Sequence, residues 1–181
     1  MAMAPPSPAP AEAGTSDAEE LRALVEAHGD AVFRLALSIV RDVALAEDIA
    51  QDSLVKAWLA LPSLQDRSAL KSWLLRITHN TAISTLRARR AVVVDPHQLP
   101  EQPADPGSSV ETKVQSDAVV DDFVAALDQL DDLSRSIVVL RELEGLSYDE
   151  IVAVLDVPLP TVKTRLLRAR RRLGSALRGW T

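Results

Sequence analysis

The sequence predicts an all-α protein, two small helical modules joined by a flexible Pro-rich linker, on three observations. Hydrophobic residues fill 47% of the 181 positions but aromatic residues only 3%, so the core must be built from Ala, Val, Leu and Ile, which suits helices better than an aromatic-rich sandwich. Those residues recur at spacings of three and four in both halves of the chain. Between the halves, from Val94 to about Gln115, Pro96, Pro100, Pro103 and Pro106 with Gly107 interrupt any regular element. No cysteine is present, which excludes disulfides and thiolate sites, and His28, His79 and His97 are too scattered for a zinc cluster. Nothing groups a nucleophile with an acid and a base, so no enzyme, cofactor or metal site is expected. The first 14 residues lack the basic start and apolar core of a signal peptide, and no stretch approaches the roughly 20 apolar residues of a membrane span. A cytoplasmic location follows as an expectation.

Residues 1–15, with Pro5, Pro6, Pro8 and Pro10, are expected to form a disordered tail. Ser16 and Glu19 make a capping-box pattern that opens a first short helix through Leu21, Leu24 and Val25, stopped at Gly29. Val32, Leu35, Ala36, Ile39 and Val40 predict a second helix. Ala46, Ile49, Leu54, Val55, Trp58 and Leu59 predict a third, ending before Pro62. A loop from Pro62 to Ser68 leads into a further helix from near Ala69, which carries Leu70, Trp73, Leu74 and Ile77 and turns basic at Arg87–Arg90. The first domain is thus 16–92, the linker 93–115 and the second domain 116–181. In the second, periodicity resumes at Val119, Val120, Phe123, Val124, Leu127 and Leu130, then Ile137, Val138 and Leu140, with Gly145 as a stop. Ser147 and Glu150 form another capping box, opening a short helix with Ile151, Val152 and Leu155 that Asp156, Val157 and Pro158 break. Pro160 suits the first turn of a last helix running to about Leu177. Two helices joined by a tight turn make a helix-turn-helix.

The net charge of −6 is unevenly distributed. Six cations and no carboxylate lie between Arg67 and Val94, and seven cations and no carboxylate between Pro160 and Thr181, which leaves −19 on the rest of the chain. Two cationic surfaces on an otherwise acidic chain suit a polyanion, although solvated basic helix faces would give the same pattern. The last helix sharpens the choice. At about 100° per residue, Val162, Leu166, Ala169 and Leu173 form one apolar stripe, while Thr161, Thr164, Arg165, Arg168, Arg171 and Arg172 lie opposite within about 120°. A helix of this kind fits the major groove, its first residues reaching base edges and later arginines meeting phosphates. Thr161, Lys163, Thr164 and Arg165 are therefore assigned to bases, with Lys163 at the flank of the face, and Arg168, Arg171 and Arg172 to the backbone. In the first module Arg76, Asn80 and Arg87 share a face within about 40°; the arginines suit phosphate, and Asn80 offers a donor and an acceptor to a base edge. Asp48, Gln51 and Asp52 share an acidic face one turn apart. Trp58 and Trp73 fit the core better than a stacking platform, and His79 suits a structural role as well as a base contact.

LSYDEIV at Leu146–Val152 followed by VPLPTVKTRLLRAR at Val157–Arg170 resembles the promoter-reading region four of bacterial RNA polymerase sigma factors of the extracytoplasmic-function (ECF) group. AEDIAQD at Ala46–Asp52, WLLRITHN at Trp73–Asn80, and Leu86 and Arg87 resemble region two of the same family. The resemblance implies a dissociable subunit that takes core polymerase to promoters. Region two would open the minus-ten element through Arg76, Asn80, Arg87 and Arg90, with the loop from Leu64 to Ser72 walling a base pocket. Region four would hold the minus-thirty-five element through Thr161, Lys163, Thr164, Arg165, Arg168, Arg171 and Arg172. The face of Asp48, Gln51 and Asp52 would dock on the polymerase clamp helices, and an anti-sigma factor would hold the chain compact and inactive. The sequence departs from the family where glycine is common, at Asp156 and Pro160, where alanine is common, at Val152, and where aspartate is common, at Ser84. The alternative function is a helix-turn-helix regulator that binds duplex DNA without polymerase.

Overall fold

A computed structural model describes the backbone of residues 10–93 and 127–174 and the side chains of 18–91 and 127–174. The expected tail up to residue 9, the linker from Val94 and the apolar run Val119 to Val124 lie outside the described residues. Every regular element among the described residues is helical.

Helix α1 runs unbroken over Pro10–Val40, where the sequence reading placed a tail to residue 15 and then two helices parted at Gly29. Pro10 opens it without loss of a needed donor, since the first turn has N–H groups with no intrahelical partner. Ser16 consequently lies inside the helix and not at its cap. Gly29 does not stop the helix because the buried Leu24, Ala31, Val32, Leu35, Ala36 and Ile39 stay in one phase across it. A helical glycine costs about 1 kcal/mol, whereas burying a single leucine contributes about 1.5–3 kcal/mol. The helix ends where Arg41 turns to a φ of 57° and its N–H closes on the Leu37 carbonyl at 3.0 Å. Asp42 then caps α2 (Val43–Ala60), its carboxylate accepting from the Leu45 N–H at 2.9 Å.

Two 3-10 turns, Leu61–Ser63 and Arg67–Ala69, bring the chain into α3 (Leu70–Val93). Leu45, Ala46, Ile49, Ala50, Leu54 and Ala57 of α2 and Leu74, Leu75 and Ala82 of α3 close a core against α1. Trp58 and Trp73 pack at its edge, as apolar helical positions should.

The second module starts from Asp131, which caps α4 (Asp132–Val138) by accepting from the Ser134 N–H at 3.1 Å. A π-helical turn, Val139–Leu143, follows, and Gly145 at φ 72° reverses the chain. Both halves of the Ser147/Glu150 capping box form at the start of α5 (Tyr148–Leu155), at 3.2 and 2.7 Å. Asp156 ends α5 in the left-handed region at φ 54°, a conformation glycine adopts freely and aspartate more readily than most residues. That backbone explains why glycine would suit this position. Pro160 is the second residue of α6 (Leu159–Leu173), where no intrahelical donor is required. Gly174 at φ 45° stops α6, so the helix is shorter than the expected run to Leu177, whose end lies outside the described residues.

The modules do not stand apart. The α3 helix packs on α5, and α1 on α4 and the π turn. Arg135, buried in α4, donates to the Ser38 carbonyl of α1 at 3.0 Å, and Arg41 donates to the Leu130 carbonyl at 3.0 Å. Arg34 and Lys71 both pair with Glu144, at 2.7 and 3.0 Å.

A β-carbon added at Gly29 would meet nothing closer than Val25 Cγ1 at 3.8 Å, an ordinary contact. Gly29→Ala should therefore raise the unfolding free energy by about 1 kcal/mol. Chemical denaturation checks this, and a fall in the midpoint at unchanged slope would show that α1 needs a flexible point there.

Candidate functional site

The α6 helix buries Val162, Leu166, Ala169 and Leu173, which is the apolar stripe its sequence phase predicts. Opposite them, Thr164, Arg168, Arg171 and Arg172 are exposed and Thr161 and Arg165 half-buried. Their side chains differ in what already occupies them. Arg168 and Arg171 make no side-chain hydrogen bond among the described residues, and Arg172 makes only a long one, 3.4 Å to the Gln129 carbonyl. Arg165 is held by its own module: its Nη1 lies 2.7 Å from Asp131 Oδ1 and 3.3 Å from Ser134 Oγ. Partial burial pushes the Asp131 carboxyl up, but hydrogen bonds from Ser134 and the Arg165 charge outweigh it and hold the group below the ordinary aspartate value. Lys163 places its ammonium 5.8 Å from the centroid of the Tyr148 ring, which also faces the Arg141 guanidinium at 4.9 Å. Arg170 forks onto Glu142 at 2.9 and 2.6 Å and serves the packing of the module. Leu167, 51% exposed, borders the arginine face; no sequence signal marks it, because a leucine in a periodic helix is ordinarily core.

On α3, Arg76, Asn80, Arg87 and Arg90 are all exposed, within a face of about 80° by helical phase. Ser84 donates to the Asn80 carbonyl at 2.7 Å, so it is turned along its own helix and not toward Arg87. His79 is half-buried with Nδ1 unpartnered, and burial lowers its pKa below the usual histidine value against smaller opposing effects of Asn80 and Asp156. Lys71, one of the six cations of this segment, is committed to Glu144. In the loop expected to wall a pocket, Asp66 accepts from the Ser68 N–H at 2.9 Å and from its hydroxyl at 2.6 Å. These bonds hold the Asp66 carboxyl below the ordinary aspartate value.

The α2 face carries Asp48, Gln51 and Asp52, all exposed, with Asp52 paired to Lys56 at 2.6 Å. Val55 and Leu59, which sequence periodicity assigned to the apolar stripe of this helix, are 40% and 66% exposed. Helical phase puts both within about 20° of Asp48. Their spacing of four fits a core stripe equally well, and only their exposure, with no helix facing them among the described residues, reveals them as surface. No helix among the described residues is long and apolar enough to cross a membrane.

The comparisons with known proteins agree with this layout. Residues 24–92 match the Sigma-70 region 2 family and residues 121–173 the Sigma-70 region 4 family. The ECF RNA polymerase sigma factor SigE of Mycolicibacterium smegmatis is 34% identical over 152 residues, which span 83% of this chain and 58% of that protein. The ECF RNA polymerase sigma-E factor of Salmonella typhimurium is 35% identical over 134 residues, 70% of each chain. Among solved structures, the sigma factor RpoE in complex with the anti-sigma factor NepR from Bartonella quintana matches with a TM-score of 0.65 and 30% identity, over 88% of this chain and 98% of that one. Two sigma modules in the order region two then region four, each with its surface residues outward, place this chain in the extracytoplasmic-function group of RNA polymerase sigma factors.

Proposed function

We propose that this chain is the promoter-specificity subunit of a bacterial RNA polymerase, with α2 docking on core enzyme, α3 capturing opened minus-ten bases and α6 holding the minus-thirty-five duplex. The observation that carries this is the coexistence, on one chain, of a capped helix-turn-helix whose Arg168 and Arg171 make no side-chain hydrogen bond among the described residues and an α2 face where Val55 and Leu59 stand exposed on the same side as Asp48 and Asp52. A stand-alone DNA regulator needs the first surface and has no use for the second. Carboxylates beside an apolar patch suit a partner surface that is both basic and apolar. The exposed α3 face suits single-base capture, in which Arg76, Arg87 and Arg90 hold phosphates while Asn80 meets a base edge. Because the related RpoE structure holds an anti-sigma factor, a regulator of that kind is proposed as a further partner. The deciding experiment adds the protein to purified core polymerase: promoter-specific initiation supports this function, and specific duplex binding without any effect on polymerase supports the stand-alone regulator.

Charge reversal by Asp48→Lys with Asp52→Lys should lower affinity for core polymerase at unchanged helicity, because both carboxylates are exposed. Leu59→Ala should do the same by about 1 kcal/mol while altering fold stability by less than about 0.5 kcal/mol. Binding curves that overlay the wild type would remove α2 from the docking surface.

At the other module, replacing Thr164 or Arg165 should change which minus-thirty-five sequences are preferred. Arg171→Ala should weaken all of them alike and reduce the salt slope by about one phosphate contact. Selection from a randomised minus-thirty-five library at two salt concentrations separates these outcomes, and equal losses for both classes of mutant would refute the division.

A further inference from the structure

Arg165 and Arg170 lie on the same helix and both meet a carboxylate, but with different parts of the guanidinium. Arg170 gives Nε and Nη2 to Glu142 Oε1, at 2.9 and 2.6 Å, which closes the side edge where those two N–H groups run parallel. Arg165 does the reverse. Its Nη1 donates to Asp131 Oδ1 at 2.7 Å and lies 3.3 Å from Ser134 Oγ, so both protons of Nη1 have acceptors. Its Nε and Nη2 have no partner among the described residues, and the side edge stays open.

The acceptor is itself anchored. Asp131 Oδ1 caps α4 by accepting from the Ser134 N–H at 3.1 Å, and its Oδ2 accepts from the Ser134 hydroxyl at 2.8 Å. Ser134 is buried. The guanidinium is therefore oriented from outside its own helix, by a residue 34 positions earlier in the chain. The pairing also changes what Arg165 can attract. A cation matched by a carboxylate 2.7 Å away acts on an incoming phosphate as a dipole and not as a full charge, and Asp131, 57% exposed, repels the phosphate directly. The open N–H groups still suit a neutral acceptor pair. Among base edges in the major groove, only guanine offers two acceptors side by side, its O6 and N7.

Resting on the sigma function proposed above, we propose that Asp131 is a positioning residue for minus-thirty-five recognition: it holds Arg165 by Nη1 and aims the Nε–Nη2 fork at the O6 and N7 of one guanine. Phosphates fall to Arg168 and Arg171, which have no carboxylate partner among the described residues. Ordering a long side chain on binding costs about a factor of three to ten in affinity, and the clasp removes that cost for the fork geometry alone.

The test uses holoenzyme assembled from full-length protein and core polymerase, with a promoter library randomised across the minus-thirty-five element. Asp131→Asn and Asp131→Ser each keep an oxygen able to cap α4, and each removes the charged acceptor from Arg165. At one position, both should lower the preference for guanine by about three- to tenfold, with the other positions as in the wild type. In an Arg165→Ala background neither should change base preference further, because Asp131 acts only through Arg165. A module loosened by the substitutions would weaken every sequence alike and do so without Arg165 as well, and that result overturns the proposal. So does a guanine preference equal to wild type in both variants. An Arg165→Ala protein that loses affinity uniformly, with a shallower salt slope, also overturns it, since that marks a phosphate contact. Promoter-specific initiation by the wild type is read separately: without it the sigma function fails, and with it an unchanged preference removes only the role of Asp131.

Discussion

The continuity of α1 is the constraint on which the other elements depend. Its buried stripe from Leu24 to Ile39 keeps one phase through Gly29, so a single rod meets α2 and α3 on one side and α4 with the π turn on the other. A break at Gly29 would leave the segment from Ala31 to Arg41, with the faces it presents to both modules, free to rotate relative to Leu24 and the first half of the rod. The left-handed Arg41 that ends the rod costs of order 1–3 kcal/mol in backbone strain, offset where its side chain reaches the Leu130 carbonyl and lies 3.6 Å from Asp132.

Around this frame the cations divide into two populations by what they touch. Arg34, Arg41, Lys71, Arg135 and Arg170 each find a carboxylate or carbonyl of the chain itself. Arg135 is the extreme case, donating to Leu127, Leu130 and Ser38 carbonyls from a buried position. Such arginines contribute cohesion, because a buried guanidinium is tolerated only when its donors are satisfied. Arg76, Arg87, Arg90, Arg168 and Arg171 are exposed without such partners among the described residues, and their charge remains available to a polyanion. Arg165 stands between the two populations: Asp131 holds it at the edge of the α6 face, where it is oriented yet within reach of a ligand.

Much of this was legible in the sequence, for reasons that are local. Capping chemistry and phase along one helix depend on residues three and four apart, so the Ser147/Glu150 box, the turn at Gly145 and the buried stripe of α6 could all be read from spacing. The exposure of Arg76, Asn80 and Arg87 on one side of α3 followed from the same arithmetic. A glycine or a proline, by contrast, carries only a local preference: at Gly29 the buried stripe from Leu24 to Ile39 outweighed it, and Pro10 stands at the first turn, where a helix accepts it.

The sequence by itself therefore determined the helical class, the order of the modules, the helix-turn-helix and the phase of each amphipathic face. The tertiary structure alone decided which members of those faces are in use, because that depends on partners far away in the chain. It brought Glu144 to Arg34 and Lys71 across 110 and 73 positions, gave Arg165 to Asp131, and left Val55 and Leu59 uncovered where their spacing reads as core. Periodicity reports that a residue lies on a stripe; whether another element lies over that stripe is set by long-range packing, on which no short-range spacing carries information.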